Sequence, residues 1–225
     1  MYISEIAWRP HNPTSPKILI LGESHYDEDI PQGEKNKHIT REVVEYMLDE
    51  APEWKTFFYN IAASFGYRKD KEGVRDFYNK VYFANYVEES CGKGSDNQAA
   101  NFIWGKGNTK GRRDYYNKAV FEFCNEEHIS IICVFSKLAY GALPKLDEDY
   151  GEKEDKCTYS SNYEICKTYY KQGASRDRII KLENDLTVYG FNHSTRGGYR
   201  IPNQFLRDEL KHHDILKQHV SARNN

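Results

Sequence analysis

Four short runs of the chain are almost wholly apolar, β-branched or aromatic: Lys17-Ile-Leu-Ile-Leu21, Lys80-Val-Tyr-Phe-Ala84, Ser130-Ile-Ile-Cys-Val-Phe135 and Leu186-Thr-Val-Tyr-Gly-Phe191. A strand with one solvated face alternates polar and apolar residues, whereas a strand covered on both faces reads as a continuous apolar run. Each run therefore predicts a buried strand, and helical patterns lie between them. Pro52 fits the first turn of a helix through Trp54, Phe57, Phe58 and Ile61 that ends at Gly66. Tyr116, Ala119, Val120, Phe123 and Cys124 share one helical face. Ser136 can cap a short helix from Lys137 to Leu143, and Pro202 can start a last one through Phe205, Leu206, Leu210 and Leu216. Buried strands separated by helices predict an α/β fold, a three-layer α/β/α sandwich around a central, mainly parallel four-stranded sheet. Residues 1–225 read as one domain, with a charged, tyrosine-rich, weakly periodic insertion around 147–176.

Composition narrows the partners. The 225 residues suit a single core, and no run approaches the roughly 18 apolar residues that would cross a bilayer. Met1 to Ser15 carries Glu5, Arg9 and two prolines, unlike a signal peptide. Five cysteines without a C-x-x-C pair predict reduced thiols in a cytoplasmic protein, with Cys124 and Cys133 in the core. No ligand cluster suggests a metal or iron–sulfur site, and the adjacent His212 and His213 would point to different helix faces. No cofactor is expected. Lys+Arg 32 against Asp+Glu 34 excludes a broadly basic nucleic-acid binder but leaves room for a local basic patch. The 18 tyrosines either pack a core or stack on flat ligands, and their number alone does not choose.

Parallel sheets bind ligands at the carboxyl ends of their strands. After the first run comes Gly22-Glu23-Ser24-His25-Tyr26, a turn that brings an acid, a hydroxyl, an imidazole and a phenol together. After the second comes Asn85-Tyr86, whose carboxamide offers both a donor and an acceptor, as recognition of a base edge needs. After the fourth comes Phe191-Asn192-His193-Ser194-Thr195-Arg196-Gly197-Gly198-Tyr199. Ordinary solvated turns account for each segment taken alone.

The order of these segments resembles the uracil-DNA glycosylase superfamily. Gly22-Glu23-Ser24-His25-Tyr26 stands where that superfamily carries G-Q-D-P-Y or G-E-A-P-G. Asn85 closes the next strand, where the superfamily keeps its base-recognition asparagine. Val134-Phe-Ser-Lys-Leu-Ala-Tyr-Gly-Ala-Leu143 is similar to its third element, a strand running into a short helix. Asn192-His193-Ser194-Thr195-Arg196 lines up with H-P-S-P-L, H-P-S-P-R or N-P-S-G-L. The resemblance spans residues 15 to 210 and rests on order and spacing, because each motif is short and degenerate.

The resemblance implies a monofunctional DNA N-glycosylase, a monomer acting on a base in single- or double-stranded DNA and nucleoid-associated if active there. Asn85 would read the base, with Tyr26 and His25 walling the pocket. Glu23 would supply the anion or activate water, with Asp27 second, and Asn192 or His193 would donate to the base oxygen. Ser194, Thr195 and Arg196 would hold a phosphate or fill the vacated stack, and Arg200 would add to the basic rim. A second basic stretch, Lys106 to Lys110 with Arg112 and Arg113, is equally readable as DNA contact or as a solvated face. The departures are that Ser24 occupies the position of the water-activating aspartate, and that His25 and His193 replace the loop prolines.

Two rivals remain at this stage. A catalytically silent module of the same fold would bind nucleic acid, a free nucleobase or a nucleotide without excising a base. A small serine esterase would use Ser24, since Ile18-Leu-Ile-Leu-Gly-Glu-Ser24 also looks like a G-D-S-L turn. That reading needs His193 or His212 as base, and no D-x-x-H pair lies near the C-terminus.

Overall fold

The computed structural model describes residues 3–25, 31–34, 39–50, 56–92, 98–105, 111–144, 154–160, 163–173, 181–194 and 200–210. The four apolar runs form β1 (Ile18–Gly22), β2 (Tyr82–Asn85), β3 (Ile131–Val134) and β6 (Leu186–Gly190). Between them lie α1 (Ile3–Ile6), α2 (Ile39–Glu50), α3 (Thr56–Ser64), α4 (Lys71–Tyr78), α5 (Gln98–Trp104), α6 (Arg113–Glu127) and α7 (Lys137–Ala142), and α8 (Arg200–Glu209) follows β6. None of the described helices is long and apolar enough to cross a membrane.

With β4 at Glu154–Ser160 and β5 at Tyr163–Tyr170, the sheet runs β2-β1-β3-β6-β5-β4, and its first four strands are parallel. The sequence predicts four strands, and among the described residues the sheet has six. The additional pair, β4 (Glu154–Ser160) and β5 (Tyr163–Tyr170), comes from the segment read as an insertion, and β5 pairs antiparallel with β6. On β5, Ile165, Thr168 and Tyr170 are buried while Cys166, Lys167 and Tyr169 keep partial exposure. A strand so mixed lacks the continuous apolar signature of the parallel core.

Side chains alternate between the two faces, and each face carries its own core. Leu19, Leu21, Ala84, Ile132, Val134 and Val188 pack with α1, α5, α6 and α7. Ile18, Ile20, Phe83, Ile131, Cys133 and Tyr189 pack with α2, α3, α4 and α8. Burial of each Val, Leu, Ile or Phe among them stabilises the fold by about 1.5–3 kcal/mol relative to exposure. Cover on both faces is the reason the strands read as unbroken apolar runs. Cys124 and Cys133 are core residues, and burial pushes both thiols well above their ordinary range.

From β1 the chain moves to β2 on one side, and from β3 it moves to β6 on the other. The strand order therefore reverses between β1 and β3. In open α/β sheets, the crevice outside the carboxyl ends of two such strands is where ligands bind.

Candidate functional site at the β1–β3 crevice

Gly22 pairs in register with Asn85, and the Asn85 side chain folds directly onto the Gly22 backbone. A Cβ at position 22 would overlap Asn85 Oδ1, so only glycine admits this approach. The two chains stay side by side beyond the sheet. Tyr86 N donates to Gly22 O at 3.0 Å, Val87 N to Glu23 O at 2.9 Å and Cys91 N to His25 O at 2.7 Å. The turn after β1 is thus held by the segment after β2. On its other side, Glu23 Oε2 accepts a 2.6 Å hydrogen bond from Ser136 Oγ, at the end of β3. Glu23 therefore sits over the crevice, half-buried, with partners from both neighbouring strands.

His25 is buried between Thr40 of α2 and Asn85. Thr40 Oγ1 lies 2.9 Å from His25 Nε2. Asn85 Nδ2 lies 3.1 Å from His25 Nδ1 and 3.2 Å from Nε2, so it faces the ring between the two nitrogens. His25 thereby covers Asn85, which is itself only 7% exposed. Ser24 Oγ is buried and makes no hydrogen bond of ordinary geometry among the described residues. Its polar neighbour is the Cys91 thiol. Burial raises the pKa of that thiol most, Ser24 works in the opposite direction, and the charges of Glu23 and Glu89 raise it further.

At the end of β6, Phe191 N donates to Val134 O at 2.8 Å, which sets Asn192 and His193, both half-buried, on the same edge. The His193 ring packs on Phe57 of α3, with centroids 4.9 Å apart and planes 34° apart, and Phe57 in turn meets Phe83 of β2. Ser194 departs from its expected role on a phosphate. It is 3% exposed; its Oγ donates to Phe57 O at 3.1 Å and its carbonyl accepts from Asn60 Nδ2 at 3.0 Å. These bonds fasten the loop to α3. Tyr26, Asp27, Trp54, Lys106 to Lys110, Thr195, Arg196 and His212 lie outside the described residues, and Arg200 is described only as the first residue of α8.

Arg112 and Arg113, both partly exposed, make bonds to groups of the protein itself. Arg112 pairs with Glu89, whose carboxylate is 1% exposed and also accepts from Tyr116 Oη at 2.6 Å. The same guanidinium lies over the Tyr115 and Tyr116 rings. Arg113 donates to the carbonyls of Ala142 at 2.6 Å and Leu143 at 3.2 Å, at the end of α7. Glu88 is likewise buried and accepts from Tyr115 Oη at 2.9 Å. Sequence reasoning passed over Glu88 and Glu89. The available signal was two adjacent acids just beyond a buried strand, with arginines and tyrosines at the start of the next long helix.

A separate cleft of about 600 Å³ is lined by Trp8, Arg9, Arg41, Asp49, Arg75 and Asn79, among others. Asn79 precedes β2, so this cleft lies at the opposite end of the strand from Asn85. Among the described residues, no group of three or more His, Cys, Asp or Glu side chains is placed to hold a metal ion. No family model matches the chain, and no curated protein or solved structure matches it.

Proposed function

We propose that the chain is a uracil-DNA-glycosylase-like protein that hydrolyses the N-glycosidic bond of a damaged or modified base in DNA. The observation that carries this reading is the placement of Glu23 and Asn85 at the carboxyl ends of adjacent parallel strands, Glu23 held by Ser136 and Asn85 by His25. Cleaving the base–sugar bond builds positive charge on the sugar and negative charge on the departing base. Glu23 stabilises that cation or takes a proton from the attacking water; the water oxygen bonds to the sugar carbon as the base leaves. Asn85 reads the edge of the flipped base, and Asn192 or His193 donates to its oxygen. The half-buried Phe57–His193 pair supplies flat surface at the same edge.

A silent binding module is the second reading. It is favoured by the burial of Asn85 beneath His25, which leaves little of the amide open to a base. The esterase reading has no comparable support, because among the described residues no imidazole is hydrogen-bonded to Ser24 Oγ.

The test is incubation with single- and double-stranded oligonucleotides containing uracil or hypoxanthine, followed by alkali. Strand scission at the modified base is expected. Binding without scission would move the assignment to the silent module, and no binding at moderate salt would sink both. Asn85→Asp should change which base is released, because one donor becomes an acceptor; the same substrate profile would remove Asn85 from base reading.

A further inference from the structure

The geometry points to Ser136 as a positioning residue for Glu23, an inference that rests on the proposed role of Glu23. Ser136 is 1% exposed and is the N-cap of α7, with extended backbone (φ −159°, ψ 126°). Its Oγ accepts from Ala139 N at 3.1 Å. A hydroxyl has one proton and two lone pairs, and the cap uses a lone pair. The proton is left for Glu23 Oε2, 2.6 Å away. The cap thus fixes the direction in which the hydroxyl donates.

Capping needs only an acceptor, and aspartate or asparagine would cap as well. Donation to Glu23 is a separate service, delivered across the crevice from the end of β3 to the turn after β1. Val87 N meanwhile holds the Glu23 carbonyl from the β2 side at 2.9 Å. Main chain and carboxylate are therefore fixed from opposite neighbours, which is how a reacting group is preorganised.

Three variants separate capping from positioning. Ser136→Thr keeps cap and donor, Ser136→Asp keeps the cap but sets a second carboxylate beside Glu23, and Ser136→Ala removes both. Crystal structures of the three read the position of the Glu23 carboxylate without reference to activity. The carboxylate should stay on residue 136 in Ser136→Thr and move away in the other two. A carboxylate unmoved in Ser136→Asp or Ser136→Ala would overturn the inference, and Ser136→Ala decides alone if Ser136→Asp does not fold.

On an oligonucleotide containing uracil or hypoxanthine, Ser136→Asp should lower kcat by about 100-fold, the cost of a misplaced reacting group. In a Glu23→Gln background, Ser136→Ala should have no further effect on kcat. An independent, additive loss would contradict action through Glu23. Displacement of the carboxylate together with no excision by the unmodified chain would leave the positioning intact and refute the glycosylase reading.

Discussion

Two carboxylates follow neighbouring strands and are held in opposite ways. Glu89, beyond β2, is 1% exposed and is enclosed by the Arg112 guanidinium and the Tyr116 hydroxyl. Glu23, beyond β1, keeps partial exposure and is held by the neutral Ser136 hydroxyl. A charge taken out of water needs a countercharge and further hydrogen bonds, since burying it alone costs several kcal/mol. Glu89 has both, and so acts as a fastening between the segment after β2 and α6. Glu23 accepts the hydrogen bond of the Ser136 hydroxyl on its Oε2, and on the proposed reading its carboxylate meets the developing cation. On the proposed reading, one carboxylate serves the architecture and the other the chemistry.

Alkali should act most strongly, and on the architectural side. Burial, as the first cause, raises the phenol pKa values of Tyr67, Tyr78, Tyr86, Tyr116 and Tyr189 above their ordinary 10.0; for Tyr116 the hydrogen bond to Glu89 adds to the effect. Below pH 10 these phenols are protonated in both folded and unfolded chains. Above it only the unfolded chain releases their protons, so stability falls as pH rises, by about 1.4 kcal/mol per pH unit for each group. Urea titrations between pH 8 and 11.5 should show a steep decline beginning near pH 10, and a flat profile would mean that these phenols are not buried.

Next in size is Arg112→Ala, which removes the guanidinium paired with the buried Glu89 carboxylate. It should cost about 3 kcal/mol in chemical denaturation. A loss below about 1 kcal/mol would put Glu89 among surface ion pairs and erase the contrast. Gly22→Ala forces a methyl group into the Asn85 amide, and should cost about 1–3 kcal/mol on the same scale while disturbing both strand ends.

Much of the framework was legible, and the physical reason is the two-sided cover of the sheet. The runs at 17–21, 80–84, 130–135 and 186–191 lie on β1, β2, β3 and β6 because each apolar side chain of those strands faces one of two cores. Ser136 capping α7 was readable from its place after a strand. The strands β4 and β5 were not, since their polar content hides a strand that only pairing with β6 reveals. Helix α2 carried its signal in Ile39, Val43, Val44, Met47 and Leu48, and α4 in Asp70, whose side chain accepts from Gly73 N.

At the site, strand-end logic led to Glu23, Asn85, Asn192 and His193. It could not reveal that Ser194 turns inward or that Arg112 and Arg113 serve internal partners. Those fates depend on neighbours 23 to 137 residues away in the chain. The tyrosines divide the same way: Tyr78, Tyr86, Tyr116 and Tyr170 are fully buried, so core packing accounts for them.

The most direct test of the contrast is Glu23→Gln, measured at once for stability and for release of uracil or hypoxanthine from oligonucleotides. The substitution keeps the shape of the side chain and removes its charge. Unfolding free energy should change by no more than about 1 kcal/mol, the size of one hydrogen bond, while base release drops to a small residual rate. Base release at the rate of the unmodified chain would contradict the assignment of Glu23 to chemistry.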